Sequence, residues 1–350
     1  MQKKATSGFW WRRIWSGLGL SIGSALLFAA AFPPLGCWPL IFIGLVPMIL
    51  AQHRLMPAKL SGLAYGIGVG GFFGLYFRRM FGSGPWFMQA LPVFIALIAG
   101  AASSRDRQFH LRTGYRWFLL QGPLVWVGIE LIRGVIPTVG TWGFAAYALY
   151  SQPWLIQPVS IFGIYGLSFL ILMVNYALAL GAIILYDRWG GDCDEQPLIT
   201  GSAGRKSILG AGAAAAAWLT LSLILLAAPQ TGKERTVQAA AVQPALKVQT
   251  WSGVEEMLDL TREAAERGAE LVVWHEAALP FDPRVENPEA FQRLTSELGI
   301  HLVIGYGLET ERGYRNEALI LTPEGDFLGP YGKDHPVAWS GEKSLPRGPH

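Results

Sequence analysis

The sequence predicts a polytopic α-helical membrane domain followed by an α/β domain outside the membrane. Two observations carry this. Charges are sparse from Ile14 to Gln230 and frequent from Lys233 onward. Long apolar runs fill the first part, whereas short strand-like runs alternating with amphipathic helical patterns fill the second. The break places a membrane domain over residues 1–230 and a second domain over residues 231–350. With 51% hydrophobic residues and only 15% charged, the chain is too apolar for an ordinary soluble protein.

The first domain is expected to hold about seven membrane helices. Ile14 to Gln52 carries no charge and is broken by Pro33-Pro34, which suits two spans of ~20 residues joined by a tight turn. A cleavable signal peptide fits less well, because a second apolar run follows at once. Leu60–Phe77 is a glycine-rich third span, in which small residues let helices approach closely. Pro85–Ser104, Trp117–Val135, Trp154–Tyr186 and Ser207–Ala228 complete the set. Residues 136–150 read as an interfacial loop anchored by Trp142 and Trp154; an extra span there would reverse the topology.

Orientation follows from lysine and arginine. Lys3, Lys4, Arg12, Arg13, Arg54, Lys59, Arg105, Arg107, Arg112, Arg116, Arg188, Arg205 and Lys206 fall on one side, against Arg78 and Arg79 on the other. This makes the amino terminus cytoplasmic and puts the second domain across the membrane. Glu130 and Arg133 share a helix face near the outer end of span five. An ionised group at mid-bilayer costs ~2.5–3.5 kcal/mol. They read either as a structural ion pair or as a contact to a lipid headgroup or the outer domain.

In the second domain, residues 235–243 form a first strand, and Ser252-Gly-Val-Glu255 is a capping box opening a helix. Leu271–Trp274 is the second strand. Asn287-Pro288 opens a second helix that Gly299 closes, His301–Tyr306 is a third strand, and Glu317–Thr322 and Phe327–Tyr331 make a hairpin. This order is a layered α/β sheet. The second strand leads into a turn carrying Glu276, and Lys333 ends the last strand. A carboxylate and an ammonium delivered from strand ends are the parts of a polar site, although each alone reads as a solvated surface charge.

Composition narrows the partners. A net charge of +3 with no basic block argues against nucleic acid. Two cysteines, Cys37 and Cys193, make neither a disulfide framework nor a metal site, and the topology puts them on opposite sides of the membrane. His275, His301 and His335 form no metal-ligand pattern, so no metal or cofactor is implied.

Several stretches carry a family resemblance. They are Phe32-Pro-Pro-Leu-Gly-Cys-Trp-Pro-Leu40, Trp126-Val-Gly-Ile-Glu-Leu-Ile-Arg-Gly134 and Gly163-Ile-Tyr-Gly-Leu-Ser-Phe169 with Asn175 in the first domain. In the second they are Ala241-Val-Gln243, Val273-Trp-His-Glu-Ala-Ala278 and Tyr331-Gly-Lys-Asp-His335. In this order they resemble the apolipoprotein N-acyltransferases, whose soluble part is of the carbon–nitrogen hydrolase (nitrilase) type. The resemblance implies an αββα nitrilase-like domain, incomplete at its carboxyl end, in a multi-pass protein of the bacterial inner membrane with that domain periplasmic. It implies a Glu-Lys-Cys triad, with Glu276 as general base and Lys333 as oxyanion ligand. The acyl donor would be a phospholipid and the acceptor a diacylated apolipoprotein, both met at the lipid surface. A substrate-side glutamate of the family maps onto Glu342, with one residue more between it and the lysine. Trp251 matches a substrate-contacting tryptophan with a one-residue offset, and by itself reads equally as a packing residue at a helix entry. His275 stands where the family has Pro or Ser, and Pro336 and Ala338 also depart from its pattern.

No cysteine follows Cys193. The expectation is therefore a chain that stops before its nucleophile and is inactive as given. A membrane-anchored amidase or nitrilase would use the same Glu and Lys but has no need of the membrane domain. A non-catalytic membrane binding protein is the remaining alternative.

Overall fold

The computed structural model describes residues 7–82, 86–136, 140–189, 198–199, 201–228, 236–244, 251–311 and 313–334, with the side chains of 7–9, 81, 86–88 and 251–252 outside the description. Cys193, His335 and Glu342 lie outside the described residues, as does the side chain of Trp251. The chain divides into two compact units, Met1–Val135 with Thr141–Pro229, and Gln230–His350 with the short stretch Ile136–Gly140.

The first unit is helical: α1 (Ser7–Ala30), α2 (Val46–Leu50), α3 (Ser61–Phe81), α4 (Trp86–Ser103), α5 (Asp106–Arg112), α6 (Phe118–Gly134), α7 (Pro153–Ile156), α8 (Val159–Trp189) and α9 (Gly201–Ala227). Among the described residues, five segments are long and apolar enough to cross a membrane: Trp10–Ala30, Trp38–Leu55, Ala58–Met80, Val159–Trp189 and Gly201–Ala227. The shorter α4 and α6 stand at the fourth and fifth expected spans. Val93, Phe94, Leu97 and Ile98 of α4 are more than half exposed, as a face meeting acyl chains would be. On α3, Gly62, Gly66 and Gly70 lie against Ala96 and Gly100 of α4, where any Cβ would collide. The glycine-rich span is a packing device.

Two segments of this unit depart from a plain helical span and a plain surface loop. The second span is not one helix. It runs as a 3-10 turn at Trp38–Phe42, then α2, then a π-helical turn at Ala51–Leu55. Freed backbone groups are tolerated at membrane depth only where other groups satisfy them. Here Asn175 of α8 does so, accepting from Leu45 N at 2.9 Å and donating to Ile41 O at 2.8 Å, while Ser24 of α1 accepts from Met48 N. The loop before α7 is packed into the protein rather than laid open on its surface. Phe144, Ala145, Ala146, Ala148 and Leu149 are buried within the helical unit.

Glu130 and Arg133 hold that loop rather than each other. One oxygen of the buried Glu130 accepts from Trp126 Nε1 at 3.0 Å and from the Ala145 backbone at 2.9 Å. Arg133 donates to the Trp142 carbonyl and lies between the faces of Phe73 and Phe144. Their bonds make both residues ties for the buried loop. At the other end of the bundle, His53 meets Tyr115 Oη at 3.0 Å, and His110 meets Gln121 Oε1 at 3.2 Å. Burial on α5 lowers His110 to about 4. It raises Asp106 to about 6 against hydrogen bonds from Gln52 and Gln121.

The second unit is a five-stranded mixed sheet in the order β1 (Ala239–Val242), β2 (Leu271–Trp274), β3 (His301–Thr310), β4 (Gly313–Leu321), β5 (Phe327–Gly332). The first three strands run parallel and the last three antiparallel. α10 (Trp251–Glu266) and α11 (Pro288–Leu298) pack on one face. Val254, Met257 and Leu258 of α10 and Phe291 and Leu294 of α11 meet Val272, Trp274, Leu302, Ile304 and Tyr306. Trp274 also donates to Thr261 of α10 at 2.9 Å. The expected elements are present with shifted ends. α10 starts at Trp251 rather than Ser252, and β3 and β4 extend into a longer hairpin. Asn287 precedes α11 as expected but sits at φ 58° and makes no side-chain cap.

Candidate active site

The site is built by strand alternation. Successive side chains of a strand point to opposite faces, and residues opposite each other on neighbouring strands share a face. Leu302, Ile304 and Tyr306 of β3 point into the helix-covered core, so Val303, Gly305 and Gly307 point away from it. The register sets Gly307 opposite Asn316 and Gly305 opposite Ala318, and Ala318 opposite Tyr331. Lys333 N donates to Asn316 O at 3.0 Å just past the end of β5. Asn316 and Lys333 are therefore neighbours on the face that the helices leave open.

Glu276 reaches this face from the turn after β2. Ala277 takes φ 50°, a left-handed conformation unfavourable for a residue with a Cβ, and the chain bulges out before resuming its course beside β3, where Leu279 makes a parallel bridge to Tyr306. The turn fits only because Gly305 has no side chain. A Cβ there would stand 2.5 Å from His275 O and 3.1 Å from Glu276 Cα.

The carboxylate is then met by two donors. Lys333 Nζ lies 2.7 Å and Asn316 Nδ2 2.5 Å from the same oxygen, Glu276 Oε1. They border a shallow pocket of about 220 Å³ walled by Val303, Gly305, Ala318 and Tyr331. The Glu276 side chain is 62% exposed and that of Lys333 30%. An ion pair so open to water adds ~0–1 kcal/mol to stability, so it is no staple of the fold. A carboxylate accepts a proton and an ammonium holds developing negative charge, which together suit acyl transfer.

On the opposite face, a second polar group is built differently. Tyr306 Oη donates to buried Glu317 at 2.7 Å, Arg315 pairs with Glu317, and Arg284 pairs with Asp282 at 2.6 Å. Burial, then the Glu317 bond, raises the Tyr306 phenol, and Arg284 holds the Asp282 carboxyl down. This group braces the sheet. A larger groove of about 390 Å³ runs beside β1, but its two charged residues, Glu263 and Arg267, pair with each other.

Of the residues expected at a site, Glu276 and Lys333 come together. Trp251 opens α10 with its side chain outside the description, and Glu342 lies outside the described residues. Glu130 and Arg133 belong to the helical unit. Among the described residues no group of three His, Cys, Asp or Glu is placed to hold a metal. Asn316 and Gly305 were not singled out. The sequence marks them only as the middle of the polar run Arg315-Asn316-Glu317 and as the first glycine of Gly305-Tyr-Gly307.

Comparison with known proteins bears on both units. Residues 24–177 match the family model described as the apolipoprotein N-acyltransferase N-terminal domain, and residues 238–349 match that described as carbon–nitrogen hydrolase. In both units, then, the chain is similar to the apolipoprotein N-acyltransferases. An apolipoprotein N-acyltransferase of Geobacter metallireducens is 28% identical over 91% of this chain and 63% of its own length. Those of Vibrio cholerae and Chromobacterium violaceum are 26% and 29% identical, over 85% and 93% of this chain and 59% and 62% of their own lengths. The chain thus spans about three fifths of the length of these curated relatives. Its apolar helices and its likeness to these N-acyltransferases mark it as an integral membrane protein. The pair at Glu276 and Lys333 falls in the carbon–nitrogen hydrolase part.

Proposed function

We propose that this protein takes part in bacterial lipoprotein maturation, as an enzyme moving an acyl chain from a phospholipid to the terminal amine of a diacylglyceryl-cysteine. The observation that carries the proposal is the Lys333–Glu276 pair, 2.7 Å apart beside an open pocket in a membrane protein. Glu276 takes the proton of a thiol, and the thiolate attacks the sn-1 ester carbonyl. Lys333 holds the resulting oxyanion. On collapse the ester C–O bond breaks, the lysophospholipid leaves with the proton from Glu276, and a thioester remains. The lipoprotein amine then attacks the thioester, giving its proton to Glu276, and the thiol is regenerated in a ping-pong cycle. The thiol is not supplied by residues 194–350, which contain no cysteine.

Residues 1–230 act as the membrane domain and 231–350 as the reacting domain. The bias of lysine and arginine supports a cytoplasmic amino terminus in the inner membrane and a periplasmic site, where lipoprotein amino termini are presented. A small-substrate amidase would use the same pair, but the helical unit gives it no purpose. Depleting the gene in its host tests the proposal. Lipoproteins analysed by mass spectrometry should accumulate in the diacylated form, and normal triacylation would overturn it.

A further inference from the structure

We propose that Asn316 is the positioning residue of this site, holding Oε1 of Glu276 so that Oε2 is the atom that takes and returns the proton. The inference rests on the reading of Glu276 as the base and adds a residue that this reading does not contain. Its ground is an asymmetry in the carboxylate. Both donors, Lys333 Nζ and Asn316 Nδ2, meet Oε1. Oε2 accepts from no described residue, although more than half of the side chain is exposed beside the pocket.

The two donors differ in what they can fix. A lysine ammonium is a point charge on a flexible four-carbon stem, and it can follow a carboxylate through many orientations. Asn316 has a short side chain on β4, a strand bonded on both sides. Its own carbonyl is bound by Lys333 N at 3.0 Å, so the amide and the lysine backbone move as one body. The amide is neutral, so it directs the carboxylate without adding charge where an oxyanion must form. Glu276 itself stands on a turn rather than a strand, and it needs such an external reference to meet a substrate within the narrow tolerance that proton transfer demands.

The test compares wild type with Asn316→Leu, which keeps volume and removes the donor, and Asn316→Asp, which keeps shape and replaces the donor by an acceptor. The probe is a water-soluble carbodiimide with an added amine, which labels carboxyls in their protonated form. Labelling is read at Glu276 by peptide mass spectrometry at fixed mildly acidic pH, with exposed Glu286 as the internal reference. Glu276 labelling relative to Glu286 should rise about tenfold in Asn316→Leu, the equivalent of about 1.4 kcal/mol, and further in Asn316→Asp. In transfer assays on the protein expressed from its own gene, kcat should fall about 10- to 100-fold with KM nearly unchanged, the mark of a lost orientation rather than lost binding. Equal Glu276 labelling in all three proteins would overturn the proposal. So would a parallel rise at Glu286, or failure of both variants to fold, because Asn316 would then serve the fold. If wild type shows no transfer while the labelling difference holds, the proposed function fails and the positioning role stands.

Discussion

The chain has two acid–base pairs of similar composition and opposite construction. Glu130 and Arg133 are surrounded by the helical unit, and each is bonded to the backbone of one buried loop. Glu276 and Lys333 sit on an open sheet face, bonded to each other, with one carboxylate oxygen free of described donors. Each carboxylate has one oxygen that accepts from no described donor, so exposure is what sets them apart: removal from water makes the bonds of Glu130 costly to lose and keeps it from anything in solution. Partial exposure beside a pocket does the reverse. On the proposed function, the contrast separates a residue that holds the protein from one that acts on something else.

The contrast is broken most directly at the open pair. Glu276→Gln should lower N-acyl transfer by about 10²–10⁴-fold, and Lys333→Met by about 10²–10³-fold. Neither should change thermal stability by more than about 1 kcal/mol. Retained transfer in Glu276→Gln, or a collapse in stability, would place this pair with the structural one. At the buried pair the pattern should invert. Glu130→Ala leaves Trp126 Nε1 and Ala145 N without their acceptor, at a cost of about 1–3 kcal/mol. Glu130→Gln keeps an acceptor oxygen and should lose much less. Thermal unfolding in detergent reads both, and transfer per folded molecule should stay level. A drop in transfer without unfolding would instead favour a role for Glu130 at the substrate.

The smallest effect concerns pH and the α5 segment. Asp106, raised to about 6, stabilises the native state when protonated, and that contribution fades as pH rises from about 4 to 6. His110, lowered to about 4, opposes it, because the unfolded state binds its proton first and stability falls as pH drops from about 6.5 to 4. Between pH 4 and 6 the two slopes offset each other. Asp106→Asn should expose the histidine slope, so its thermal midpoint should fall more steeply on acidification than that of wild type.

Local pattern made much of the fold readable. Charge spacing and apolar run length located the helices, and Asn287-Pro288 and Gly299 bracketed α11 within a residue. What stayed hidden depended on partners far along the chain. Nothing near Leu45 announces that its N–H is bonded by Asn175, 130 residues away, so the second span read as a continuous helix. The loop before α7 read as interfacial because its glycines and aromatics fit that setting; its burial follows from Glu130 and Arg133. At the site, Glu276 and Lys333 stood out because each ends a strand in a recognisable stretch. Asn316 did not, because its meaning comes from a register of three strands and a turn.

Gly305 and Gly307 leave one side of β3 bare, and two visitors occupy the space: the Glu276 turn and the Tyr314 ring, whose hydroxyl a Cβ on Gly307 would overlap. At Gly307 the obstacle is the end of a side chain, which can swing aside, so a lineage released from selection on the reaction could replace that glycine and still fold; at Gly305 a Cβ would press on the backbone at His275 and displace the turn that leads to buried Leu279. Single-base changes of a glycine codon offer several such replacements. In a copy of this gene that has stopped working, Gly307 should therefore decay early, while Gly305 and the core residues Leu302, Ile304 and Tyr306 persist. The order of that decay would date the loss of activity independently of the fate of any catalytic residue.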